Sequence, residues 1–306
     1  LSSLVGGLAT APFAAAHFNR IAHFGLVANL LTVPLMGSLI IPAAVVAALL
    51  APLGLSWLAF AVMEPALAWA LEVAARVAAM PGAVSHVPSP PGATLALIAM
   101  AGLIAILWRG RGRWVALAPT VLATLLWSEV ARPDLLVSDT GRLAGVLTEE
   151  GRSLSRARGD GFVAGVWLEN DGDGALQEDA ALRGGWRESG AGLSASLGGL
   201  DIWQGAGRRA LSEAASACAT HDLVILSEPA RDADPPFQGA RPDLGAPALR
   251  LAQARAQSRT AEAPATCTLI DADVLAETGA LAIDIKDGAL RIRSARGAQG
   301  DRLWTR

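Results

Sequence analysis

A stretch of 43 residues, from 21 to 63, contains no aspartate, glutamate, lysine or arginine. A helix needs about 20 apolar residues to cross the hydrocarbon core of a bilayer, so the stretch predicts a membrane-embedded chain. Residues 26–50 supply one full span, although Pro34 and Pro42 interrupt it. Neighbouring helices can satisfy the backbone groups that proline frees. The two prolines therefore predict a broken or kinked helix inside a bundle.

Two further apolar segments follow a Pro-rich loop at residues 84–92. Residues 93–108 form one of them. Residues 114–131 form the other, which carries Trp114 and Trp127 near its ends. Tryptophan is enriched where a membrane helix meets the headgroups. Both segments are predicted to be membrane helices.

Charge is distributed unevenly along the chain. Residues 1–133 hold six basic and three acidic residues, whereas the remaining 173 residues hold 19 basic and 25 acidic ones. We therefore divide the chain into a transmembrane helical region, 1–132, and an extramembrane domain, 133–306. The predicted strands of the domain are 135–138, 143–147, 162–168, 223–226, 281–285 and 290–292. With a helix at 208–219 and a hairpin turn at Asp287-Gly288, these strands predict a small α/β (α+β) domain.

Three arginines, Arg109, Arg111 and Arg113, lie in one five-residue turn between two predicted spans. Basic loops of membrane proteins stay on the cytoplasmic side. The helix after this turn then leads outward. The sequence predicts a multi-pass protein of a bacterial inner membrane, with its C-terminal domain in the periplasm.

The apolar segment 55–80 carries Glu64, Glu72 and Arg76, which are spaced 8 and 4 residues apart. This spacing places them on one side of a helix, with Glu72 and Arg76 able to pair. Two interpretations remain open: an amphipathic helix on the membrane surface, or a helix that lines an aqueous path. Two interpretations also remain open for His17 and Asn29. They are interfacial or helix-packing groups, or they contact a polar path.

The polar half contains two cysteines, Cys218 and Cys267, and one histidine, His221. Two cysteines are too few for a disulfide scaffold or a four-ligand zinc site, which leaves one disulfide or two separate thiols.

Other motifs of this half are weak. The acidic run 169–174 lacks the glutamate that closes a calcium loop and is interpreted as an exposed turn. Gly205-Ala206-Gly207 is interpreted as a plain turn. The excess of acidic residues argues against a strong phosphate-binding surface.

Several motifs together resemble the ComEC competence family. They are Pro12, then His17-Phe18-Asn19, then the run from Asn29 to Pro34. Segments 218–226, 270–271 and 275–283 are similar to the C-terminal domain of alphaproteobacterial members. The resemblance covers most of the chain, patchily between residues 141 and 207.

The resemblance implies a component of the inner-membrane channel that translocates single-stranded DNA during natural transformation. Its implied partners are single-stranded DNA, the lipid bilayer and other competence proteins. The chain begins with Leu1 inside an apolar stretch, and we expect the protein to continue upstream. Two other functions stay open: a polytopic solute transporter with a periplasmic domain, and a membrane-anchored hydrolase whose active site precedes Leu1.

In many members of that family the C-terminal domain resembles a metallo-β-lactamase. Here Ser227-Glu228-Pro229 stands where other members carry His-His-Gly. One histidine cannot supply the nitrogen ligands of a dinuclear metal site. The resemblance thus implies a degenerate metallo-β-lactamase fold that has lost its metal site, with no catalytic residue and no cofactor.

Overall fold

The computed structural model of the chain describes residues 2–233, 239–240, 242, 249–250, 267–286 and 289–300. The turn at 287–288 and much of the segment 229–264, which the sequence predicts as a loop or mixed segment, lie outside the described residues. The chain divides into two compact units, Leu1–Val130 and Ala131–Arg306.

The first unit is helical. Its six α-helices are α1 (Ser2–Phe18), α2 (Gly25–Leu35), α3 (Ile41–Leu50), α4 (Ser56–Ala78), α5 (Gly92–Leu107) and α6 (Leu117–Ser128). Two of its helical stretches are long and apolar enough to cross a membrane by length and composition: Gly25–Leu53, which contains α2 and α3, and Ser56–Ala78. Leu4–Phe18 and Gly92–Leu107 are shorter apolar helices.

A π-helical turn, Met36–Ile40, joins α2 to α3. Pro34 lies in the last turn of α2, and Pro42 lies in the first turn of α3. Each proline removes a backbone donor, and a π-turn is a common way to keep a helix continuous across such a defect. The predicted break is thus a local widening, and the helical stretch continues to Leu53.

Helix α4 folds back along the preceding stretch. Only Gly54 and Leu55 separate Leu53 from Ser56, and the Ser56 hydroxyl donates to the Ala47 carbonyl at 3.0 Å. Helix α4 contacts both α3 and the more distant α2. Its buried residues, Ala59, Ala66 and Val73, recur every seventh position and form one stripe. The two long helices therefore form an antiparallel hairpin.

A two-stranded antiparallel ribbon interrupts the helices. Strand β1 (Arg20–Ala22) pairs with β2 (Val84–His86) in the register Arg20 to His86. The prediction of a loop over 84–92 is therefore wrong at its first three residues. The sequence does not predict β1, because its partner strand is more than 60 residues away.

Helices α5 and α6 form a second hairpin. The turn between them, Gly110–Ala116, is 3₁₀-helical and carries two of the three arginines of the basic turn. The span predicted over 114–131 is thus shorter as an α-helix, Leu117–Ser128. Helix α5 rises about 24 Å over its 16 residues. The arginine turn and the ribbon therefore lie at opposite ends of this hairpin.

The second unit contains two sheets. The strands are β3 (Leu135–Val137), β4 (Ala144–Thr148), β5 (Gly151–Leu154), β6 (Arg187–Ser189), β7 (Gly192–Leu197), β8 (Leu200–Gly205), β9 (Leu223–Leu226), β10 (Leu249–Arg250), β11 (Thr268–Ile270), β12 (Leu281–Lys286) and β13 (Ala289–Ser294). One sheet has the order β10-β13-β12-β3-β4-β5, and the other β11-β9-β8-β7-β6. Among the described residues, the helices of this unit are α7 (Gly161–Asn170), α8 (Gln177–Ala181), α9 (Arg208–Thr220), α10 (Ala272–Thr278) and α11 (Ala295–Gln299).

Three hydrophobic clusters define the layers of this unit. The largest contains inner-face residues of both sheets, such as Val146 and Ile202. Strand β9 shows how the faces divide: Leu223 and Ile225 belong to this inner cluster, whereas Val224 faces α9. A third cluster joins the other sheet to α7. Helices therefore cover both outer faces of two packed sheets, as expected from the alternation of side chains along a strand.

The prediction of a strand over 162–168 is wrong, because these residues lie in α7. An apolar run of this length is compatible with a buried strand or a buried helix. The buried residues are Ala164, Trp167 and Leu168, a helical spacing, while Phe162 remains exposed. The hairpin predicted around 287–288 does form, as β12 pairs with β13.

Candidate functional site

The ribbon of the first unit is held by Asn19, directly after α1. Asn19 has φ 54°, a backbone region in which asparagine is enriched among non-glycine residues. It is only 5% exposed. Its side-chain amide donates to the Val87 carbonyl at 3.2 Å and to the Ser89 hydroxyl at 2.8 Å. One buried side chain therefore fixes the start of β1 against the chain that follows β2.

Further polar contacts hold the same end of the unit. The Nε2 atom of His23 lies 2.7 Å from the Ser85 hydroxyl, and the Trp127 indole donates to the Pro88 carbonyl at 2.8 Å. His17 lies exposed in the last turn of α1, and His86 lies in β2. All three histidines of the first unit thus lie in or beside the ribbon.

Of the five polar residues that the sequence selects in the membrane region, the structure brings Glu72 and Arg76 into contact. Glu72 and Arg76 form an ion pair at 2.7 Å on the exposed side of α4. Glu64 is exposed two turns earlier on the same helix, away from the buried stripe. Asn29 is exposed on α2. Helix α4 is long and apolar enough to cross a membrane by length and composition, and both interpretations of its polar residues stay predictions.

Sequence reasoning gives Asn19 no role beyond its place in the His-Phe-Asn motif. The signal that would have identified it is an asparagine immediately after an apolar helix, where a left-handed backbone often ends the helix. Its partners, Val87 and Ser89, carry no such signal. Only the pairing of β1 with β2 brings them into reach.

In the second unit Cys218 and Cys267 form a disulfide, with their Cα atoms 5.0 Å apart. Cys218 lies in α9 and is buried in the cluster between that helix and the sheet. Cys267 directly precedes β11, which pairs in parallel with β9. The bond therefore joins α9 to the edge strand of its own sheet.

The prediction of an exposed acidic turn over 169–174 is wrong. Asp171 is buried and accepts hydrogen bonds from Arg152 Nε at 2.5 Å and Nη2 at 3.2 Å. Arg152 is fully buried, and it also donates to the carbonyls of Gly145 and Pro133, both at 3.0 Å. The carboxylate that suggested a calcium loop is instead one half of a buried ion pair.

A second carboxylate of the same turn has a similar role. Arg183 donates to both carboxylate oxygens of Asp173, and to the Arg152 carbonyl at 3.0 Å. The hydrogen bond to Asp173 is the main cause that raises the pKa of Arg183 above its ordinary value, so the guanidinium stays charged. The two acids hold β5 to the segment after α7.

No group of three or more His, Cys, Asp or Glu side chains that could hold a metal ion is found among the residues that the structure describes. His221, the single histidine of the second unit, follows α9, and its Nδ1 lies 2.8 Å from the Thr220 hydroxyl and 3.1 Å from the Ala217 carbonyl. These are local contacts at a helix end.

Residues 1–112 match a protein-family model described as competence protein. The matched region contains α1 to α5, the ribbon, and both helices of spanning length. No curated protein and no solved structure matches the chain.

Proposed function

We propose that the chain, whose residues 1–112 match the competence protein family model, is a component of the inner-membrane channel that translocates single-stranded DNA during natural transformation. The main support for the proposal is that the family match covers most of the helical unit, Leu1–Val130. The match ends at the arginine turn, and it includes both helices of spanning length.

We infer that Glu64 contributes to a polar path through the membrane. Glu64 lies on the side of α4 opposite to the buried stripe, within a helix of 23 residues. Ionisable side chains inside membrane helices face bundle interiors or water-filled cavities. A carboxylate repels phosphate, so we assign Glu64 to keeping the path hydrated rather than to holding DNA.

We also propose that the arginine turn is cytoplasmic and that the ribbon faces the periplasm. Supporting this orientation, Arg109, Arg111 and Arg113 are all exposed at one end of the α5–α6 hairpin. The ribbon and Trp127 lie at the other end. Helix α6 returns the chain to the ribbon end before the second unit begins at Ala131. The second unit is then periplasmic, a compartment in which its disulfide is stable.

For the second unit we propose a degenerate metallo-β-lactamase fold. Its support is the order of layers, with two packed sheets and helices on both outer faces. The residues after β9 are Ser227-Glu228-Pro229. This segment contains no histidine, so it cannot supply a pair of imidazole ligands to zinc. We assign the unit a docking or structural role within the uptake machinery.

The experiment is natural transformation of the source organism with and without the gene, followed by complementation. Fluorescent double-stranded DNA distinguishes the steps. We expect the deletion strain to accumulate labelled DNA in the periplasm and to yield no transformants. Normal transformation in the deletion strain would refute the proposal. Loss of growth on a particular solute, with transformation intact, would favour the transporter alternative.

A further inference from the structure

A groove of about 390 Å³ lies in the second unit, where loops of both sheets meet. It is formed by the turn before β4, the end of β5, the β6–β7 turn and the loop from β8 into α9. Its volume falls within the range of small-ligand pockets, about 300–1,000 Å³. Three arginines line it, Arg142, Arg156 and Arg209, together with Glu188. The Glu213 carboxylate lies at the β6–β7 turn of the groove, where it accepts a hydrogen bond from the Ala191 amide at 2.6 Å. Counting both acids, the side chains at the groove carry an excess of one positive charge.

These three arginines differ from others in the same unit. Arg152, Arg183 and Arg293 are each paired with a carboxylate. Within the described part of the chain, no ion pair is found for Arg142, Arg156 or Arg209. A guanidinium is always charged and presents five donors in a planar fork. The groove thus gathers three cationic side chains that form no ion pair within the described residues.

The start of α9 lies beside the groove. The helix begins at Arg208 after Gly207, whose φ is 82°, and no side chain caps it. The first amides of a helix have no acceptor within the helix and carry partial positive charge. Arg209, in this first turn, belongs to the groove lining. A helix of 13 residues that opens beside three arginines is suited to an anion.

The backbone of the Arg142 turn is fixed by a buried side chain of the other sheet. Gln204, which is 3% exposed and lines the groove, donates its side-chain amide to the carbonyls of Gly141 at 3.0 Å and Arg142 at 3.1 Å. Gln204 belongs to β8, whereas the Arg142 turn leads into β4 of the other sheet. A buried polar side chain thus fixes one wall of the groove against the other.

We propose that this groove binds a phosphate group. Resting on the proposed function, that group is a phosphodiester of the DNA strand that the protein handles outside the membrane. The acidic balance of the whole domain led to the opposite expectation, but net charge is a property of the entire surface. Binding depends on the local arrangement, and here three guanidinium groups without an ion pair among the described residues lie beside a helix start.

The test uses the full chain in phosphatidylcholine nanodiscs and a 5′-fluorescein dT20 oligonucleotide, with binding followed by fluorescence anisotropy. We expect Arg142→Gln, Arg156→Gln and Arg209→Gln each to weaken binding about 10-fold. Each change should also reduce the slope of log affinity against log salt by about 0.7, the value for one phosphate contact to a single strand. Arg296→Gln, an exposed arginine on α11, is the charge-matched control and should bind like the wild type.

Wild-type affinity in all three groove variants, or equal loss in Arg296→Gln, would overturn the proposal. Two other ligand sources are separated by additional arms. If the groove variants lose binding to phosphatidylglycerol vesicles but keep dT20 binding, the ligand is a lipid headgroup. If inorganic phosphate binds more tightly than dT20, the site is for the free ion. Either result overturns the assignment to a DNA strand.

Transformation frequency distinguishes this proposal from the proposed function. If gene deletion abolishes transformation while the three variants bind dT20 normally, the groove assignment fails and the channel role stands. If deletion leaves transformation intact while the variants lose dT20 binding, the channel role fails and the phosphate site stands.

Discussion

Asn19 and Val87 are joined by two hydrogen bonds across 68 residues of sequence. The Val87 backbone amide donates to the Asn19 carbonyl at 2.9 Å, and the Asn19 side chain returns a bond to the Val87 carbonyl at 3.2 Å. This reciprocal pair connects the end of α1 to the chain that enters α5. It makes the ribbon a fixed part of the helical unit.

The first prediction concerns Asn19. In Asn19→Gly the left-handed backbone is retained but two side-chain hydrogen bonds are lost, which should cost about 2 kcal/mol. Asn19→Ala should cost about 1 kcal/mol more, because alanine is strained at φ 54°. Melting temperatures of the purified chain in nanodiscs measure both effects. Equal stability of the two variants would show that the backbone conformation at position 19 does not matter.

The second prediction concerns the buried pair of Arg152 and Asp171. Arg152→Leu leaves a buried carboxylate without its partner and should lower the free energy of unfolding by about 3–5 kcal/mol. Adding Asp171→Leu should restore part of this loss, since the double change removes both charges. The measurement is the urea midpoint of the second unit in the full chain, with unfolding detected by limited proteolysis. Arg293→Gln breaks a partly exposed pair with Asp284 and should cost less than about 1 kcal/mol.

The third prediction concerns the disulfide. Its cysteines are 49 residues apart, so the chain-entropy model gives a stabilisation of about 4 kcal/mol. Cys218→Ser and Cys267→Ser should each lower the urea midpoint, and the double variant should be no worse than the worse single one. A reducing agent should destabilise the wild type and leave the double variant unchanged. An effect of the reductant on the double variant would show that it acts elsewhere.

The fourth prediction concerns topology. Alkaline phosphatase fused after Arg306 should be active, since the proposed location of the second unit is the periplasm. A fluorescent protein fused after Arg111, at the basic turn, should be bright, because that turn is proposed to be cytoplasmic. The opposite pattern at both sites would reverse the orientation and remove the argument for a stable disulfide.

The fifth prediction concerns Glu64. A cysteine at this position, in a chain with Cys218→Ser and Cys267→Ser, should react with a membrane-impermeant thiol reagent because Glu64 faces water. Leu49→Cys is the control, since Leu49 is 72% exposed on an apolar helix and should be protected by lipid. Protection of both cysteines, together with loss of transformation in Glu64→Gln, would identify a buried functional carboxylate instead.

Composition alone was enough to divide the chain into a membrane-type half and a polar half, because burying a charge in lipid is costly at any position. Local pattern was also enough for α9, β9 and the β12–β13 hairpin, whose residues lie close in sequence. The resemblance to the competence family likewise came from local motifs, and residues 1–112 match that family's model. These features depend on neighbours along the chain.

The tertiary structure decided what depends on distant partners. The ribbon needs residues 20 and 86 to meet, and the buried pair needs β5 to pack beside the turn after α7. The apolar pattern of residues 162–168 is compatible with a strand or a helix, and only packing against the sheet selects the helix. The arginine groove joins loops of both sheets, so no stretch of sequence contains it. Local propensity acts over a few residues, whereas burial and ion pairing act between segments that only folding brings together.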